Sequence, residues 1–167
     1  RIEWQLLTWV RPGEAVRARW ADIDTESKIW NIPPEFMKMK RPHKVPLSKE
    51  ALRILENMQP ISSHREWIFP SIKTPLTHMH EQTANAALIR MGLGGELVAH
   101  GMRSIARTAA EECGKFRTEV LESALAHTKS TEIIAAYNRA EYLVERADLM
   151  QWWGDYIQVQ KYKAIAA

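Results

Sequence analysis

The sequence predicts a mixed α+β fold, mostly helical, with a small three-stranded antiparallel sheet at one edge. Strand signals are confined to residues 20–47, and almost everything after Ser48 reads as helix. The clearest helix is 99–113, where Met102, Ile105, Ala106, Ala109, Ala110 and Cys113 recur at i, i+3, i+4, i+7, i+8 and i+11. A chain of 167 residues suffices for one domain with a real core.

Taken in order, residues 2–10 predict a helix that Pro12 stops near Arg11, because the residue before a proline avoids helical geometry. A short helix runs from Gly13 to Arg19. Trp20–Asp24 and Lys28–Ile32 flank the turn Thr25-Glu26-Ser27, a basic loop follows, and His43–Leu47 is the third strand. Ser48 is a good N-cap for a helix over 49–58. After a looser stretch over 59–76, Thr77 opens a helix to about Met91, closed by Gly92 and Gly94. Further helices are predicted over about 117–126, 130–138 and 141–160. No internal repeat or low-complexity linker interrupts the chain.

Composition narrows the function. One cysteine, Cys113, excludes a disulfide framework within the chain and fits a reducing cytosol. No apolar run approaches the roughly 20 residues of a membrane span. The net charge is only +3, but Lys38, Lys40, Arg41, Lys44, Lys49 and Arg53 crowd one stretch with Glu50 as the sole acid. The chain opens without Met inside an apolar-periodic segment, which reads as a piece of a longer protein.

The chemistry lies in a scatter of polar residues: Arg11, Lys38, His100, Arg103, His127 and Tyr137. Two arginines, a lysine, two histidines and a late tyrosine are what cleavage of a DNA phosphodiester by a tyrosine nucleophile needs. Cations fixed around the non-bridging oxygens stabilise the pentacoordinate transition state more than the ground state. Arginine suits this, since its planar fork binds two oxygens and stays protonated. A tyrosine with a pKa of about 10 needs a nearby cation or base, and the leaving 5′ hydroxyl needs a proton donor. Arg103 and Arg107 lie off the apolar stripe of helix 99–113 and His100 at its start, free to face a ligand. No metal site is found: His78-Met79-His80-Glu81 puts Ala84 where a zincin helix has its second histidine.

Several strings in order make the chain resemble the catalytic domain of the tyrosine recombinases, the integrases of phages and genomic islands. They are Arg11-Pro12-Gly13-Glu14, the hairpin Met37–Leu47, Ala99-His100-Gly101-Met102-Arg103, Ala126-His127 and Ala136-Tyr137-Asn138-Arg139. The hairpin and the Ala136–Tyr142 string look like the prophage integrases of enterobacterial islands. The family often carries an aromatic residue at position 102, where methionine fills similar core space.

The resemblance implies that Arg11 and Arg103 clamp the scissile phosphate and that Lys38 is the general acid. It implies that His100 and His127 assist and that Tyr137 attacks to form a 3′-phosphotyrosyl link. Glu14 matches an acid that orients its neighbours. Lys38 is preferred over Lys40 by its offset from the Val45-Pro46-Leu47 strand. Lys40, Arg41 and Lys44 are read as phosphate contacts to double-stranded DNA. The link conserves bond energy, so neither cofactor, ATP nor metal is expected. The resemblance also implies a homotetramer on DNA, DNA-bending accessory proteins, and a cytoplasmic, nucleoid-associated protein. Residues 1–167 would be a catalytic domain without its N-terminal DNA-binding domains. Residues from about 158 to 167 would be a tail docking on a neighbouring protomer, or a frayed terminus.

Plainer readings stand beside these. Arg11 can be a helix-end surface cation, His127 a satisfied core histidine, and Tyr137 a buried tyrosine sharing a face with Ile133 and Ile134. Tyr142 and Tyr156 compete as nucleophiles but look like packing residues beside Trp152 and Trp153. Cys113 reads as core. A DNA-binding module that kept the fold and lost cleavage is the alternative function.

Overall fold

Helix α1 (Ile2–Thr8) is followed by α2 (Pro12–Val16), a three-stranded antiparallel sheet in the order β1-β2-β3, and five further helices. The strands are β1 (Ile23–Asp24), β2 (Ile29–Ile32) and β3 (His43–Pro46). The helices are α3 (Lys49–Ser62), α4 (Thr83–Arg90), α5 (Gly101–Glu112), α6 (Thr118–Ala124) and α7 (Glu132–Ala166). This computed structural model describes the backbone of residues 1–127 and 132–166, and the side chains of 1–127 and 142–166. The α+β, mostly helical class expected from the sequence is what the chain adopts.

α1 packs against α3, α5 and α7. Its Trp4 and the neighbouring Trp9 are buried, with Trp30 of β2 5.2 Å from Trp4 and Trp153 of α7 6.1 Å from Trp9. The chain leaves α1 through Trp9 in the left-handed region, φ 59°, an unusual posture for a bulky residue. Pro12 then fills the first position of α2, where its missing N–H costs nothing.

The sheet is shorter than predicted at its first strand. Trp20–Asp22 form a 3₁₀ turn, because Arg19 grips Asp22 through two bonds of 2.9 and 3.0 Å and the Trp20 indole donates to the Ser62 carbonyl. Ile23 then pairs with Trp30, and further along Trp30 pairs with Val45 and Ile32 with His43. Alternation along β3 buries His43 and Val45 and exposes Lys44.

Helix boundaries also differ from expectation, α1 ending at Thr8 and α2 at Val16 rather than at residues 10 and 19. α3 continues past residue 58 with Pro60 in its last turn, where a single backbone bond is forgone. α4 starts at Thr83 rather than Thr77. Residues 77–79 instead pair with 69–71, Ser71 N–H donating to Thr77 and Met79 N–H to Phe69, both at 2.8 Å. α5 begins at Gly101. α7 is continuous where two helices were expected, and 138–141 hold no glycine or proline to break it. The expected tail after 158 stays helical to Ala166, with Tyr162 and Ile165 exposed.

Gly154 of α7 sits hard against the first turn of α3. A Cβ there would lie 2.1 Å from Glu50 Oε2 and 2.9 Å from the Oγ of Ser48, the buried N-cap. Glu50 can swing aside, but Ser48 holds the Ala51 N–H at 3.2 Å. Gly154→Val is therefore expected to destabilise the fold by about 1–3 kcal/mol. A urea midpoint unchanged from the parent would refute the close approach.

Candidate active site

Arg103 leaves α5 on its buried side, not off the apolar stripe as its spacing suggested. The stripe is rotated: Met102, Arg103, Ala106 and Ala110 are buried, whereas Ile105 is exposed. Its guanidinium donates through Nη1 to the Trp9 carbonyl and through Nη2 to the Leu125 carbonyl at 2.8 Å. The left-handed turn at Trp9 thus presents a main-chain acceptor to a buried cation. The start of α5 is itself fixed by Ala99, whose N–H donates to Asn85 Oδ1 at 2.7 Å and whose carbonyl accepts from buried Gln5 at 2.6 Å.

Arg11 precedes α2 and stays partly open, its side chain 19% exposed. Glu14, three residues on and buried, accepts from the Arg11 N–H at 2.8 Å and from its guanidinium at 3.0 Å. One carboxylate thus holds both the backbone N–H and the guanidinium of this arginine. Arg11 and Arg103 crowd together. Burial, then the positive charge of Arg11, pushes the Arg103 guanidinium down to about 10, with Glu14 offsetting part of it. Arg103 remains charged at neutral pH, and two cations beside one carboxylate leave a net pull on an anion.

His127 joins them. Its Nε2 lies 3.5 Å from Arg103 Nη2, and its Nδ1 lies 2.9 Å from Glu122. With Nδ1 donating to the carboxylate, Nε2 is the nitrogen turned toward Arg103. Glu122 also accepts from Arg107 Nε at 2.9 Å. Burial opposes ionisation of Glu122, but the bonds from Arg107 and His127 outweigh it and lower its pKa. Arg107, expected free for a ligand, is engaged by Glu111 and Glu122.

The remaining predicted residues stand apart or outside. His100 is exposed at the N-cap of α5, with no side-chain bond among the described residues. Lys38 is exposed on the loop between β2 and β3, as are Lys40 and Arg41, and Lys44 is exposed on β3. Tyr137 falls within the span of α7, but its side chain lies outside the described residues. Tyr142 packs under the Arg117 guanidinium at 5.5 Å, and Tyr156 stacks on Trp152 and Trp153, both in packing roles. Cys113 is only partly buried. Among the described residues, no three His, Cys, Asp or Glu side chains are placed to hold a metal ion. His78 packs edge-on against Trp67, and His80 accepts from the Gln82 N–H. No described helix is long and apolar enough to cross a membrane.

Sequence reading missed His43 and Arg146, the first of which feels the charges of Arg103 and Arg11. Arg146 of α7, buried, donates to the Lys44 carbonyl, and its Nη2 lies 3.4 Å from His43 Nε2. Both signals were present: His43 shares the inward face of its strand with Val45. Arg146 shares an apolar helix face with Tyr142, Leu149, Met150 and Trp153.

Burial, then the charge of Arg146, pushes the His43 imidazole down to about 3. The folded protein holds it neutral, while the unfolded chain takes up a proton as pH falls through about 6.5. Proton uptake therefore favours unfolding between these values. Stability is full above pH 6.5 and declines as pH falls toward 3. From pH 7 to pH 5 this group alone is expected to remove about 2 kcal/mol. Urea unfolding of the parent and of His43→Gln at both pH values checks it, since the variant should lose less. Equal losses would refute the neutral, buried imidazole.

The Phage integrase family profile matches residues 1–143. The chain is 55% identical over 155 residues to prophage integrase IntA of Escherichia coli K12, covering 93% of this chain and 37% of that protein. It is 36% identical over 180 residues to the integrase of Enterobacteria phage P4, covering 99% of this chain and 41% of that protein. With IntZ, another prophage integrase of Escherichia coli K12, identity is 34% over 154 residues, or 91% and 37% of the two chains. The chain thus spans about two fifths of the length of these relatives.

Proposed function

This chain belongs to the phage integrase family, and from that premise we propose that it cleaves and rejoins DNA at specific sites through a phosphotyrosyl link. The observation that carries the reading is the convergence of Arg11, Arg103 and His127 from three separate stretches of chain. Such a cluster fits the non-bridging oxygens of a phosphodiester. Two forks supply paired donors, and their charge is fixed before the substrate arrives.

In this reading Tyr137 Oη attacks phosphorus, the bond to O5′ breaks, and Lys38 gives that oxygen its proton. His127, held by Glu122, and His100 at the start of α5 hydrogen-bond the phosphate oxygens or take the tyrosine proton. Lys40, Arg41 and Lys44, exposed on one hairpin, meet the DNA backbone. Integration or excision of a prophage or genomic island is the biological outcome. The working unit is a homotetramer on two DNA sites, served by DNA-bending proteins in the bacterial cytoplasm. The chain acts as the catalytic part, and the end of α7 reaches a neighbouring protomer.

Covalent capture tests this. Nicked duplexes spanning candidate attachment sites are incubated with the complete protein in chelator and without ATP. A denaturant-resistant protein–DNA band is expected, with the nucleotide attached to the peptide that contains Tyr137. Attachment at Tyr142 or Tyr156 would overturn the assignment of the nucleophile. No band, with DNA still bound, would replace cleavage by the DNA-binding module.

A further inference from the structure

We propose that Arg146 is a positioning residue that, with His43, sets the hairpin carrying Lys38 against the scissile phosphate; this rests on the function proposed above. Two contacts and the packing of α7 support it. The Arg146 guanidinium reaches from α7 to the Lys44 carbonyl and to His43 Nε2 at 3.4 Å. His43 is the first residue of β3, five residues after Lys38. The helix that carries Arg146 also packs against α6, whose last residue, Ala124, lies three before His127. Arg146 itself follows Tyr137 on α7 by nine residues, about 13 Å along the axis. One buried cation thus ties the stretch bearing the proposed acid to the helix bearing the proposed nucleophile.

Stability alone is a poor account of this residue. Burying a guanidinium is costly, and packed apolar side chains of similar volume often do as well or better. Here the Arg146 Nε has no partner among the described residues, so the group is not fully repaid by hydrogen bonds. What the arginine supplies is geometry. A single guanidinium nitrogen, Nη2, that holds a strand carbonyl and a neutral imidazole at once fixes where β3 begins. That matters because residues 38–42 are all exposed and have little packing of their own to place Lys38.

A substrate with sulfur in place of the bridging O5′ separates positioning from mere structure. When the P–S bond breaks, the electron pair leaves on a thiolate that needs no proton, so the general acid becomes dispensable. Arg146→Lys and His43→Gln, in the complete protein, are expected to cleave the oxygen substrate about 10- to 100-fold more slowly than the parent. On the sulfur substrate both should approach the parent rate, as should Lys38→Ala. Equal slowing on both substrates, with Lys38→Ala restored, overturns the role of Arg146 and leaves Lys38 as the acid. Failure to restore Lys38→Ala overturns the assignment of the acid, and this inference with it. Should Arg146→Lys not fold, the His43→Gln variant decides by the same comparison.

Discussion

Arg103→Lys is expected to slow DNA cleavage about 100- to 1000-fold at saturating DNA, while weakening DNA binding only a few-fold. The charge survives this change but the fork does not. In the parent, two N–H groups of the guanidinium are committed to the carbonyls of Trp9 and Leu125, Nη2 also faces His127 Nε2 at 3.5 Å, and the remaining N–H groups are left for a ligand. An ammonium cannot hold both carbonyls and still offer paired donors to phosphate oxygens. The same substitution strands a buried carbonyl, which costs about 1–3 kcal/mol. Rates must therefore be compared in single turnover at a temperature where melting shows both proteins folded. Binding should hold because, in the function proposed above, the exposed Lys40, Arg41 and Lys44 carry most of the contact with the DNA backbone. A folded variant that cleaves within tenfold of the parent would falsify the phosphate clamp.

The setting of Arg103 was half visible in the sequence. Its place in His100-Gly101-Met102-Arg103 marked it, and helical spacing put it in the first turn of α5. Its burial was not visible, because the acceptors are main-chain carbonyls 94 and 22 residues away. The same holds for Trp9, whose left-handed conformation no local signal announces in a tryptophan. Glu14 was legible, lying three residues from the arginine it grips, whereas Glu122 was not, since its partners include Arg107, 15 residues earlier on another helix. The helices and strands followed periodicity wherever one face is buried. They departed where side chains captured the backbone, as Arg19 and Asp22 do before β1, or where another segment did, as 69–71 do before α4. Arg146 fell through because a charged residue on an apolar stripe is ordinarily dismissed. On α7 that break in the pattern was the signal.

Trp153→Ala is expected to cost about 3–5 kcal/mol, a large share of the 5–15 kcal/mol typical of a folded domain. The indole is fully buried, meets Trp9 edge-to-face at 6.1 Å, and donates to the Leu6 carbonyl at 2.8 Å. Removing it opens a cavity between α7 and α1 and strands that acceptor. Thermal melting should fall by about 10 °C or more for a chain of this size. A phenylalanine refills most of the volume without the N–H, so Trp153→Phe should cost about half as much. Activity should fall as well, beyond the loss of folded protein. Trp9 bears on Trp153 with its ring and on Arg103 with its carbonyl, so slack in the first reaches the second. Cleavage by Trp153→Phe, measured well below its melting temperature, is the sharper readout. A parent-like rate would show that the Trp9 turn holds its carbonyl without help from α7.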